Sequence, residues 1–212
     1  MRNWLPLCFA CFTAAVIAAP VQAQYIFMDV DGNQQCDAAD IPPSGEGTID
    51  VWLDTSRVLD GGPATCATGE ELTISAYEVV LYTADLTVTG WTNARPEFPQ
   101  SLGFLKEGNF TYVGHTSSGA STHLVPGLYK LGTIATTFER GCRYVAAVGS
   151  AILSGVNRST GFYSQCSGLD GDNTIRLGVE FSDNCGTVGT ICDEAEDQGT
   201  TWGKIKKQYL PK

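Results

Sequence analysis

Residues 29–40, DVDGNQQCDAAD, hold the side chains of this sequence best spaced to do chemistry. Asp29, Asp31 and Asn33 alternate, Asp37 follows, and Asp40 closes the run. A hard divalent cation takes roughly six to eight oxygens, and a chain curling around it supplies them from alternate positions. Gln35 falls where such a loop donates its backbone carbonyl, so its side chain is free to vary. The expected ligands are therefore Asp29, Asp31, Asn33, Gln35 through its carbonyl, Asp37 and Asp40. Nothing close by has a catalytic pattern, so the expected role of a bound ion is to organise structure.

The run resembles an EF-hand loop, and more closely the loops of dockerin modules. Those loops also close on Asp and carry glycine at the fourth position, here Gly32. The resemblance implies Ca2+ as the ion. At the sixth position, where such loops use glycine for a sharp turn, this chain has Gln34. Only one loop of this kind is present, whereas a dockerin carries two. Further along, Asp170 and Asp172 in GLDGDNT and Asp183 in FSDN offer a second calcium site or outer support for the first. The same residues are ordinary turn formers, and the turn is the preferred reading.

Other chemistries lack their parts. The two histidines, His115 and His123, lie at the ends of a polar segment, GHTSSGASTH. A hydrolytic triad needs a nucleophile, a base and an orienting acid, and no nucleophile elbow marks one here. No carboxylate pair stands out for glycoside cleavage. The expectation is a protein that binds and does not catalyse. A formal net charge of −10 repels phosphate backbones and anionic membranes, which disfavours nucleic-acid partners. Exposed aromatic faces can stack on sugar rings. Trp52, Trp91, Tyr112 and Tyr163 are the candidates for that, with Trp52 expected to face outward because its strand neighbours face in.

The compartment follows from the first 23 residues, which read as an export signal. Arg2 gives a positive start, residues 5–19 are apolar, and VQA at 21–23 offers small residues for cleavage. The apolar run is too short for a membrane span. Cys8 and Cys11 would leave with it, and so would Arg2, taking the charge to −11. Cys36, Cys66, Cys142, Cys166, Cys185 and Cys192 remain, an even set that reads as disulfides in an exported chain. Sequence alone cannot choose the pairing, although Cys185 with Cys192 would close a small loop and is preferred. No Cys-x-x-Cys or nearby histidine supports zinc.

Strands must position these groups. Short apolar-alternating runs fall at 25–30, 48–54, 72–82, 86–91, 110–116, 128–138, 144–148 and 175–181, with Gly, Pro, Asn and Asp between them. In TIDVWLD, Ile49, Val51 and Leu53 share one face and Trp52 takes the other. Many short strands predict an all-β, two-sheet jelly-roll sandwich. Three stretches, TIDVWLDT, ISAYEVVLYTADLTVTGW and VPGLYKLGTIATTF, make residues 48–152 resemble a cohesin domain and, more broadly, related carbohydrate-binding modules. That resemblance implies a secreted or cell-surface recognition module for an extracellular protein, with a glycan or a purely structural role as alternatives. Tyr82-Thr83-Ala84-Asp85 stands where cohesins carry Tyr-Asp. The sandwich with its loop is expected over 24–185, followed by a tail, 186–212. There an acidic cluster precedes TWGKIKKQYLPK, in which Trp202, Ile205 and Tyr209 recur at near-helical spacing.

Overall fold

The computed structural model describes residues 24–35, 37, 39–57, 62–64, 73–117, 124–165, 174–177, 179–181 and 187–192. The leader, Cys36, Cys66, His123, Cys166, Asp170, Asp172, Asp183, Cys185 and the tail beyond 192 lie outside them. Every regular element among the described residues is a strand, and no helix is long and apolar enough to cross a membrane. The strands are β1 (Gln24–Asp29), β2 (Glu46–Asp54), β3 (Ala76–Ala84), β4 (Leu86–Asn93), β5 (Gln100–Glu107), β6 (Phe110–Thr116) and β7 (Leu128–Phe138). They continue with β8 (Cys142–Val148), β9 (Ser150–Leu153), β10 (Val156–Ser159), β11 (Gly161–Gln165), β12 (Thr174–Leu177), β13 (Val179–Phe181) and β14 (Thr187–Cys192).

They form two stacked sheets, as the alternation predicts. One runs β13-β1-β2-β7-β4; the other runs β12-β11-β3-β6-β5, with β8 also paired to β3 and β14 paired to β8. Period-two patterning decides which side chains meet between the layers. Ile26 and Met28 of β1, Ile49, Val51 and Leu53 of β2, and Ile134 of β7 face Tyr77, Val79 and Leu81 of β3 and Val113 of β6. Each such burial is worth about 1.5–3 kcal/mol relative to exposure, so this interface is the main source of stability. Trp52 lies on the other face of β2, half-buried and stacked on Phe27 at 6.3 Å.

The second sheet departs from a plain layer. β8 and β11 share one edge of β3, β8 along residues 80–84 and β11 along residues 76–78. Between them the chain leaves as a hairpin, β9–β10, which turns through Ser154 (φ 51°) and Gly155 (φ 74°). Two successive left-handed residues suit the twist of a two-residue hairpin. Thr160 closes its base: its backbone N–H donates to the Gly149 carbonyl at 2.9 Å, and its hydroxyl accepts from the Val80 N–H and donates to the Val148 carbonyl. The hairpin folds over the outer face of the sheet, where Leu153 packs on Val80 and Tyr112 in a small second core. Residues 187–192 form β14 beside β8, and Cys185, the preferred partner of Cys192, lies outside the described residues.

Candidate metal centre

The acidic run begins on the last residue of β1. Asp29 pairs with Asp50 of β2, so the sheet fixes its backbone, and it is buried to 2% exposure. Its carboxylate turns the chain back on itself: Oδ1 accepts the Gly32 N–H at 2.7 Å and Oδ2 accepts the Gln34 N–H at 2.9 Å. Those bends need left-handed backbone, which Gly32 (φ 79°) adopts freely and Gln34 (φ 61°) adopts at a cost. Asp40 closes the loop from the other end. Its Oδ1 accepts the Val30 N–H at 2.6 Å and its Oδ2 the Asp37 N–H at 3.1 Å. Beyond it, the buried Arg143 of β8 donates from Nε to the Pro42 carbonyl at 2.8 Å, fastening the loop exit to the second sheet.

One carboxylate oxygen each from Asp29, Asp31 and Asp40 lies within 4.8 Å of the other two. Asp29 and Asp40 are buried and Asp31 is exposed. Two unit charges at that separation repel by about 3 kcal/mol at an effective dielectric of ~20. Loss of solvent chiefly, and then the neighbouring Asp29 and Asp31 charges, push the Asp40 carboxyl above its ordinary pKa, against the lowering effect of its two backbone hydrogen bonds. Three hard oxygens converging from one loop, with two of them buried and mutually repelling, fit the donor set of a Ca2+-type ion.

The other expected ligands stand differently. Asn33 donates from its amide nitrogen to Asp31 Oδ2 at 3.1 Å and to Asp37 Oδ2 at 2.9 Å, while its Oδ1 accepts the Gln35 N–H. It thus bridges two carboxylates as a donor. Asp37 is exposed and its Oδ1 accepts the Ala39 N–H, so it belongs to the rim and not to the converging trio. Gln35 is exposed on the same arc. Asp170, Asp172 and Asp183, the expected source of a second site, lie outside the described residues.

The aromatic candidates divide. Tyr112 is wholly buried, which removes it as a stacking platform: the β9–β10 hairpin covers it, and the Arg158 guanidinium sits 4.7 Å above its ring. Trp91 packs against the main core beside Tyr77 and lies flat across Gly132, where a Cβ would fall 2.2 Å from the indole. Tyr163 is half-buried and directs its hydroxyl to Glu78. Trp52 alone keeps the outward orientation expected of it. His115 lies against Tyr77 at 5.7 Å, and burial pushes its pKa down.

A buried carboxylate far from the loop was not anticipated. Glu78, on the outer face of β3, is 6% exposed and accepts the Tyr112 hydroxyl at 2.6 Å and the Tyr163 hydroxyl at 3.4 Å. The signal was present in the alternation of β3, which places Glu78 with Val80 opposite the core-facing Val79. Its partners come from far along the chain, Tyr112 at 34 residues and Tyr163 at 85, so no local signal announces them.

No family model matches this chain, and no curated protein matches it. Among solved structures it is similar to several cohesin modules. The sixth cohesin of Acetivibrio cellulolyticus scaffoldin B, solved with a mutant Cel5 dockerin, shares 10% identity at a TM-score of 0.45, over 76% of this chain and 94% of that one. The second type II cohesin of the same organism's ScaA scaffoldin shares 13% identity at 0.43, over 86% and 99%. A non-cellulosomal cohesin from Archaeoglobus fulgidus shares 14% identity at 0.42, over 83% and 96%.

Proposed function

We propose that this chain is an exported recognition or scaffolding module that binds an extracellular protein, and that Ca2+ stabilises it through the loop at the end of β1. The observation that carries the recognition reading is the placement of exposed apolar side chains. Leu102 and Phe104 on β5, and Ile152 and Val156 on the hairpin beside it, are each at least 41% exposed. The hairpin is held to β5 by the Ser154 N–H, which donates to Glu107 Oε2. Exposed apolar side chains on an edge strand and on the hairpin beside it suit a protein partner better than a sugar, whose rings need open aromatic faces. The resemblance of residues 48–152 to a cohesin makes a dockerin-type module the first partner to test.

For calcium, the supporting geometry is the trio Asp29, Asp31 and Asp40. An ion there would cancel the repulsion among three carboxylates and draw the start of β1's exit and the approach to β2 together. The remaining oxygens would come from the Asp37 rim, the Gln35 carbonyl and water.

Pulldown from secreted proteins, run beside a glycan array, tests the recognition reading. Capture of a discrete protein that is weakened by Phe104→Ala and Ile152→Ala supports it. A glycan signal lost on Trp52→Ala, with no protein captured, overturns it in favour of sugar binding.

A further inference from the structure

We propose that Cys142 and Cys192 are joined by a disulfide that staples the edge strand β14 to β8. Cys142 is the first residue of β8 and Cys192 the last of β14. The two strands run antiparallel, and Cys192 stands directly opposite Cys142 in their register, with Ile191 opposite Arg143. Directly opposed residues in such a ladder share one face of the sheet, with Cα atoms about 4.5–5.5 Å apart. A disulfide requires Cα atoms roughly 4.4–6.8 Å apart, a range that includes the ordinary spacing of opposed residues in such a ladder.

The place also has a use for it. β14 pairs only with β8 among the described strands, and its ladder is broken by an irregularity between Val188 and Ile191. A short edge strand with an interrupted ladder frays readily at its end. A bond at Cys192 holds that end. It also ties β14 beside Arg143, the residue whose guanidinium grips the Pro42 carbonyl at the exit of the acidic loop. In forming the bond, the two thiols lose their protons and two electrons. A thiol–disulfide oxidoreductase in the export compartment accepts them, its own disulfide being reduced to a dithiol. The pairing differs from the small Cys185–Cys192 loop that spacing favours, and it leaves Cys36, Cys66, Cys166 and Cys185 to pair among themselves.

Peptide mapping of the unreduced, exported chain decides the matter without any variant. Alkylation followed by proteolysis and mass spectrometry is expected to yield one linked peptide joining residue 142 to residue 192, which separates on reduction. Hydrogen exchange at the β14 amides is expected to rise at least tenfold on reduction, with little change in β7. A linked peptide joining Cys192 to Cys185 or to any other cysteine, or recovery of Cys142 and Cys192 as alkylated free thiols, overturns the proposal.

Discussion

Three places among the described residues bury carboxylates: Asp54 is paired with Arg57, while the end of β1 and the outer face of β3 satisfy theirs in two other ways. At the end of β1, Asp29 and Asp40 accept backbone N–H groups alone among the described residues and face each other and Asp31 across a few ångströms. On the outer face of β3, Glu78 accepts tyrosine hydroxyls, with an arginine guanidinium stacked over one of those rings. The first arrangement gathers negative charge, and none of the ion pairs among the described residues answers it. The second sets a single carboxylate among hydroxyl donors. Burial alone therefore does not mark a cation site; the calcium proposal rests on the unbalanced cluster of hard oxygens in the first region.

The largest expected effect breaks the comparison on the loop side. Asp29→Ala removes a converging oxygen and frees the Gly32 and Gln34 N–H groups. A ligand at about 100 times its Kd stabilises by ~2.7 kcal/mol, and that increment disappears with the site. In millimolar calcium the variant is expected to melt roughly 5–15 °C below the parent, and in chelator the gap narrows. Equal melting of parent and variant in both conditions would mean that the loop is only a turn.

Next comes the other carboxylate. Tyr112→Phe deletes the 2.6 Å hydroxyl donor to Glu78 without changing ring volume. Loss of a hydrogen bond to a charged group costs about 1.5–3 kcal/mol. The unfolding free energy from denaturant titration is expected to fall by that amount equally with calcium and with chelator. A calcium-dependent difference in the loss would show that the two regions are coupled and that the contrast drawn between them is false.

Acidity sharpens the contrast further. The Asp40 carboxyl has a folded pKa above its ordinary 3.8. The folded chain therefore holds this proton more tightly than the unfolded chain. The stability that follows is fully present below about 3.8 and is lost as pH rises through the folded value. In chelator, the melting temperature of the parent relative to Asp40→Asn should rise as pH falls from 7 toward 4. In calcium the trend should reverse, because the ion needs the ionised carboxylate. Melts at several pH values in both buffers check the sign; a parallel pair of curves refutes it.

How much of this was legible in the sequence depends on how local each signal is. β6 and β7 fall where alternation puts them, and β2 begins only two residues early, because one face of each packs on the core. β5 gave no pattern: it is an edge strand exposed on most positions, and its register slips between Ser101 and Gly103. The β9–β10 hairpin was also hidden, since only Leu153 of its residues is fully buried. That omission explains Tyr112. Alternation marks Val113 as core, and only a hairpin arriving some forty residues later turns the opposite face into a second interior. In the loop, oxygen spacing pointed to Asp29, Asp31 and Asp40 meeting. It could not show that Asn33 would turn its amide nitrogen to Asp31 and Asp37, which is settled by hydrogen bonds among the loop's own side chains.

The smallest expected effect isolates backbone strain within the loop. Gln34 occupies the position where calcium loops of this pattern place glycine, and it holds the left-handed conformation that glycine would supply, at φ 61°. A side chain in that region costs about 1 kcal/mol or slightly more, part of which glycine returns through the larger entropy of its unfolded chain. Gln34→Gly should therefore raise stability by roughly 0.5 kcal/mol, a degree or two in melting temperature. Gly32→Ala is its mirror. Nothing lies within 4 Å of the added Cβ, so only the conformation at φ 79° opposes it, and stability should fall by about 1 kcal/mol. Both shifts should appear in chelator as well as in calcium, because the Asp29 carboxylate imposes the bends on the chain through its own hydrogen bonds. If the two variants move the melt only when calcium is present, the ion shapes the loop, and the hydrogen bonds of Asp29 do not.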